Sequence, residues 1–262
     1  MVQRKSRVWL HLLLFALTVV TTTVMVGWIY SASLLTILTA HEFGHYFAAR
    51  YHRVKATLPY FIPFPSFLGT LGAVIRMSPY IPSRQALFDI AAAGPIAGLV
   101  VAIPLSIAGV AISEHVPAGD PEGVIILGDP LLFRVIEWSL LEPRGEDVEL
   151  LLHPVAFAGW VGLFVTALNL LPISQLDGGH IGYALFGRRS RFIAGLAFVA
   201  LALVTLVHGY HYTIMLVLLW FMGIKHPPTL NDSLELGRGQ KIAAIALGVI
   251  FVLSFTPSPF QF

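Results

Sequence analysis

Two histidines and a glutamate fall together in the run His41-Glu42-Phe43-Gly44-His45. Histidines four residues apart share one helix face, so both imidazoles can hold one zinc ion. The glutamate between them is placed to take a proton from water activated by that ion. The flanks set this run apart, with Leu34, Leu35, Ile37 and Leu38 before it and Tyr46, Phe47 and Ala48 after it. The pattern therefore points to metal-assisted hydrolysis on a helix apolar enough to sit in a membrane.

Two imidazoles leave a tetrahedral ion short of a third protein ligand, the fourth place being kept for water. The expected third ligand is Asp177, in Asn169-Leu170-Leu171-Pro172-Ile173-Ser174-Gln175-Leu176-Asp177-Gly178-Gly179. A carboxylate at the edge of an apolar span is costly and usually functional. The plainer reading makes Asp177 the N-cap of a helix over 178–187. Asp89 is the rival ligand, with a cap or a pairing to Arg84 as its own plainer role.

The rest of the composition fits a membrane setting. Of the 262 residues 56% are hydrophobic and 11% charged, with mean hydropathy +0.80, where soluble domains carry about 25% charged residues. A net charge of +2 gives no sign of a nucleic-acid partner, and the absence of cysteine excludes disulfides and thiolate metal sites. The sequence has no internal repeat and no low-complexity tract. It carries no signal of oligomeric state.

The apolar runs predict an all-α membrane protein: a polytopic bundle of six core transmembrane helices plus a seventh. Spans are expected near 8–30, 33–50, 85–112, 153–171, 191–208 and 211–224, with the seventh near 242–256. The first follows a basic start (Arg4, Lys5, Arg7) and reads as a retained helix, not a removed signal peptide. The sixth and seventh fall short of the ~17–25 residues a bilayer core requires. Fourteen of the 16 basic residues lie on one side of this layout, and the loop at 113–150 holds nine of the 14 acidic ones. Basic residues mark the cytoplasmic face, so the N-terminus is expected inside. His45 is then about 7–8 Å of helix from Arg50, a shallow site toward the cytoplasm that water can reach. Leu131 to Leu141 reads as a short surface helix.

The stretch 55–83 holds Pro59, Pro63, Pro65, Pro79 and Pro82 and cannot be one helix. Thr70-Leu71-Gly72-Ala73-Val74-Ile75-Arg76 has the β-branched content of a strand, and Gly69 and Gly72 would let a second backbone approach closely. Gly72 is the candidate substrate-binding position. The plainer reading is a Pro-rich loop lying on the membrane.

Together, HEFGH at 41–45, Asn-x-x-Pro with Leu-Asp-Gly-Gly at 169–179, and Gly94-Pro95-Ile96-Ala97-Gly98 make the chain resemble the site-2 proteases, intramembrane zinc metalloproteases of peptidase family M50. The resemblance spans about 30–255. It implies one Zn2+ ion held by His41, His45 and Asp177, with Glu42 as catalytic base. It also implies Asn169 as a group that holds substrate or the developing oxyanion. It implies a short membrane-dipping β strand or hairpin near 55–83, whose edge accepts the backbone of an unwinding transmembrane substrate. Partners would be transmembrane protein substrates and the lipid bilayer. The chain reads as a single transmembrane metalloprotease domain over 1–262, with a catalytic core of about 30–225 and neither a PDZ nor a CBS domain. A seventh span departs from the six-helix core the resemblance implies.

Other polar residues carry weaker expectations. His180, one turn beyond Asp177, suits either the outer shell of the metal or the interface. His153, His208 and His211 read as outer-side residues, and Lys225-His226-Pro227-Pro228 as an inner-side helix stop, with a substrate gate as the lesser reading. Gly94 and Gly98 have the spacing of tight helix packing. Two other functions use the same groups: a zinc-binding membrane transporter, which would need ligands at several depths, and an inactive relative that binds membrane proteins, against which Glu42 stands.

Overall fold

The computed structural model describes residues 8–117, 126–141, 148–173, 175–224 and 226–261. The basic start at Arg4, Lys5 and Arg7, the stretches 118–125 and 142–147 of the acidic loop, Ser174 and Lys225 lie outside the described residues. The chain is mostly helical.

Helix α1 (Val8–Met25) ends before the expected edge near 30, because Gly27 takes φ +131 and turns the chain into α2 (Trp28–Tyr51). That backbone conformation is open to glycine and closed to most side chains. The Thr22 and Ser31 hydroxyls, 2.7 Å apart, tie the two helices beside the turn. Next come strands β1 (Tyr60–Pro63) and β2 (Thr70–Val74), which pair antiparallel. They are fastened to the helices through polar groups. His11 Nδ1 lies 3.0 Å from the Pro59 carbonyl, the Thr21 hydroxyl donates to Gly69 O at 2.7 Å, and the Tyr30 hydroxyl donates to Leu68 O at 3.0 Å.

Helix α3 (Arg84–Ala111) begins at Ser83, whose hydroxyl accepts from the Ala86 N–H. It keeps Pro95 and Pro104 in its interior. Beyond it lie β3 (Glu114–Pro117), β4 (Ile126–Leu127), α4 (Leu131–Leu140) and β5 (Val148–Leu151), with β3 paired to β5. Helix α4 is the short helix expected there, with Leu131, Val135 and Trp138 exposed. Helix α5 (Pro154–Asn169) starts on proline, with His153 as its cap. A corner leads to α6 (Asp177–Phe186), then a 3-10 turn, α7 (Ser190–His208), a second 3-10 turn, α8 (Thr213–Met222) and α9 (Arg238–Ser254). Strand β6 (Phe260–Gln261) returns to pair with β4.

The core is the packing of α2, α3 and α5, filled by Tyr30, Leu34, Ile37, Leu87, Trp160 and Leu163. Small residues let these helices approach: a Cβ on Gly109 of α3 would collide with the Ala156 backbone of α5. Among the described residues, three stretches are long and apolar enough to cross a membrane: Val8–Met25, Arg84–Ala111 and Asp177–His208. Helix α2 is 24 residues long but carries the polar residues of the motif. Helices α5, α8 and α9 are shorter, at 16, 10 and 17 residues. Leu196, Leu206, Val207, Ile214 and Phe221 of α7 and α8 face outward, a surface suited to lipid.

Candidate metal centre

Helical spacing stacks His41 and His45 on the face of α2 that packs against α3. Both imidazoles are buried. His45 Nδ1 lies 2.7 Å from the Ile90 carbonyl of α3. A carbonyl only accepts, so Nδ1 holds the proton and Nε2 keeps its lone pair for a metal. Room for the rings comes from α3. A Cβ at Gly94 would collide with the His45 ring, and one at Gly98 would lie 3.1 Å from His41 Nδ1. The two glycines read as helix packing are thus the hollow that receives the histidines.

Asp177 arrives from the first turn of α6. Its position depends on the corner after α5, where a Cβ at Gly178 would collide with the Leu170 carbonyl. With glycine there, the corner closes and the carboxylate meets the imidazoles. Asp177 Oδ2 is 3.2 Å from His41 Nε2 and 3.3 Å from His45 Nε2, and the two Nε2 atoms are 3.1 Å apart. A tetrahedral zinc with bonds of about 2.0–2.1 Å has ligand-to-ligand edges of about 3.3 Å. The donor set and its spacing therefore fit that ion. No other group of three or more such residues converges among the described residues.

Glu42 is 5% exposed and lines a cavity of about 530 Å³ together with His41, His45 and Asp177. Asn169, at the end of α5, also lines it, with Nδ2 3.4 Å from His41 Nε2. One wall is the chain from Ala73 to Pro79. The Thr57 N–H donates to Arg76 O at 3.0 Å, and the Ser78 N–H donates to Lys55 O at 2.8 Å. Alternation along the strand then turns the backbone groups of Ala73, Ile75 and Met77 to the other edge. Gly72 takes φ +96 and lies one residue before this wall, its N–H donating to the Thr70 hydroxyl at 3.0 Å.

Asp89 is not brought to the metal ligands, nor does it pair with Arg84. It lies 2.9 Å from His52 Nε2 and accepts from Gln240 Nε2 at 2.7 Å, joining α2, α3 and α9. Residues missed as site components are His226 and the segment after it. His226 lines the same cavity as Asp177. Its only sequence signal was a histidine before two prolines.

Residues 29–207 match the profile of Peptidase family M50. The chain belongs to that family. M50 relatives include the proteins named "Probable zinc metalloprotease EGY1, chloroplastic" from Oryza sativa subsp. japonica and Arabidopsis thaliana. The first is 32% identical over 234 residues, covering 85% of this chain and 39% of the relative. The second is 33% identical over 229 residues, covering 85% and 41%. "Probable zinc metalloprotease EGY2, chloroplastic" from Oryza sativa subsp. indica is 29% identical over 235 residues, covering 86% and 42%. This M50 chain spans about two fifths of the length of the curated relatives it matches. No solved structure matches it.

Proposed function

We propose that the chain is an intramembrane zinc endopeptidase that cuts transmembrane segments of other proteins. The observation that carries this reading is the triangle of His41, His45 and Asp177 donors with Glu42 in the same cavity. Zinc held there would polarise a peptide carbonyl and acidify a water. Glu42 takes the proton from that water and returns it to the leaving amine. Asn169 donates from Nδ2 to the substrate backbone or to the oxygen that gains charge.

A helical substrate keeps its carbonyls in its own hydrogen bonds, and unwinding in lipid strands polar groups. The outward backbone groups of Ala73 and the carbonyl of Ile75 supply partners to such a segment, in the manner of an added strand. Gly72, just before them, leaves open space for the incoming backbone, since a Cβ there would meet nothing within 4 Å.

In this reading residues 1–262 form one transmembrane domain with its catalytic core at about 30–225. Six spans and α9 lie in the bilayer, the N-terminus is cytoplasmic, and the site opens toward the cytoplasm. The charge asymmetry of the loops supports that orientation.

The test is purified protein, in detergent or nanodiscs, with a synthetic transmembrane peptide. Glu42→Gln is expected to keep zinc at one ion per chain and to lose cleavage by at least ~10²-fold. Persistent cleavage by that variant overturns the assignment.

A further inference from the structure

The cavity that holds the His41, His45 and Asp177 donors is also lined by a second pair of imidazoles. His180 Nδ1 and His226 Nε2 are 2.6 Å apart, and His226 Nδ1 is 2.6 Å from the Pro227 carbonyl. The carbonyl can only accept, so His226 Nδ1 carries the proton of that bond. Burial holds His226 below its ordinary pKa, which keeps the ring neutral at pH 7. Its Nε2 is then an acceptor, and the proton between the two rings belongs to His180 Nδ1. In a neutral His180 ring this leaves Nε2 with a lone pair. Nε2 has no hydrogen-bond partner among the described residues and is not among the buried orphaned atoms. His180 itself lines the cavity, one helical turn beyond Asp177.

The tautomer is held from several sides. The His226 ring stacks on Tyr183 at 4.4 Å and 24°. The Tyr183 hydroxyl donates to Asp232 Oδ2 at 2.6 Å, and Asp232 Oδ1 accepts from the Thr229 hydroxyl at 2.6 Å. The backbone beyond is tied down by Leu230 N–H to Ile81 O at 2.9 Å and Asn231 N–H to Pro82 O at 3.1 Å. A ring this fixed presents one acceptor, in one direction, to whatever enters the cavity. An unwound peptide brings N–H donors that have lost their helical carbonyls, and each needs an acceptor.

We propose that His180 is a substrate-binding residue whose Nε2 accepts one backbone N–H of the unwound segment. His226 is a positioning residue that acts through it by fixing the tautomer. The proposal rests on the protease reading above.

The experiment uses the full chain carrying Glu42→Gln, so that binding is read without turnover. The probe is a fluorescent synthetic transmembrane peptide with a central Asn-Gly pair, together with a series N-methylated at one backbone amide each. His180→Phe is expected to weaken binding of the unmodified peptide about tenfold, the scale of one hydrogen bond, with zinc content unchanged. One N-methyl position should cost the parent a similar factor and cost the His180→Phe chain nothing further. His180→Gln, which keeps an acceptor near the same point, should restore most of the binding. His226→Phe, which keeps the stack on Tyr183, should weaken it by less than His180→Phe and add nothing to that change. If no N-methyl position couples to His180, or if His180→Phe releases zinc, the proposal is wrong. If the chain with Glu42 intact neither binds nor cuts the peptide, the protease reading fails and takes this proposal with it. If it cuts the peptide but binding ignores His180, only this proposal falls.

Discussion

The imidazole of His45 fills the space that a side chain at residue 94 would need. A Cβ at Gly94 would collide with Nε2, Cδ2 and Cε1 of that ring. The ring cannot yield easily, because its Nδ1 is held to the Ile90 carbonyl at 2.7 Å. Gly94→Ala is therefore expected to push Nε2 off the point it shares with His41 and Asp177. Zinc affinity should drop at least ~100-fold, the upper range for disturbing ligand orientation, while helix content stays the same. Metal titration with circular dichroism checks both. A variant that binds zinc as the parent does would show that the ring has room to move.

Asp177 and Asp89 make a matched pair of carboxylates, one facing the histidines and one facing His52 and Gln240. Asp177→Asn removes an anionic donor from the triangle and is expected to abolish stoichiometric zinc binding. Asp89→Asn should leave zinc at one ion per chain and cost about 0.5–1.5 kcal/mol of stability, the scale of a hydrogen bond at a helix junction. Zinc analysis and thermal unfolding of the two variants separate the roles. Zinc lost from Asp89→Asn and retained in Asp177→Asn would reverse the ligand assignment.

The three groups that converge are legible because their chemistry is local: a four-residue spacing for His41 and His45, and a costly carboxylate for Asp177. The mostly helical character, with three stretches long enough to cross a membrane, follows from apolar run length. What stayed hidden was set by partners distant in sequence. Gly94 and Gly98 carry the spacing of helix packing, and only the fold reveals that imidazoles, not a second backbone, fill the gap. Asp89 looked like a cap because its partners His52 and Gln240 lie 37 and 151 residues away. His226 gave no sign of facing the cavity, since nothing in Lys225-His226-Pro227-Pro228 tells where a chain lands after a helix ends. The end of α1 was missed because an apolar run continues through Gly27 while the backbone does not.

Gly69 and Gly72 both take positive φ, at +74 and +96, but only Gly69 is hemmed in. A Cβ at 69 would lie 2.5 Å from Thr22 Cα of α1, whereas one at 72 would meet nothing within 4 Å. Alanine at either position carries about 1–2 kcal/mol of backbone strain. At 69 overpacking adds about 1–3 kcal/mol and pries the strand pair from α1. Thermal unfolding should therefore rank Gly69→Ala well below Gly72→Ala in stability. Equal melting temperatures would mean the contact with α1 yields without cost.

Acid should loosen the segment that closes the cavity, and two groups on it set the window. Burial holds the His226 imidazole below its ordinary value of 6.5. At Asp232 burial pushes upward, but hydrogen bonds from Thr229 and Tyr183 outweigh it and leave the carboxyl below its ordinary 3.8. Both pKa values are lower folded than unfolded, so the unfolded segment binds more protons as pH falls. For His226 the loss of stability begins below about 6.5 and continues to the depressed folded value. For Asp232 the stabilisation is intact above the ordinary carboxylate range and disappears as pH drops through the lowered value. Of these two groups, only His226 acts between pH 7 and pH 5. Hydrogen exchange at the Leu230 and Asn231 amides, which donate to Ile81 and Pro82, should speed up across that interval after correction for intrinsic rates. His226→Phe should flatten the response without removing the contact to Tyr183. Protection that stays constant from pH 7 to pH 5 in the parent would show that the His226 imidazole does not control how this segment is held.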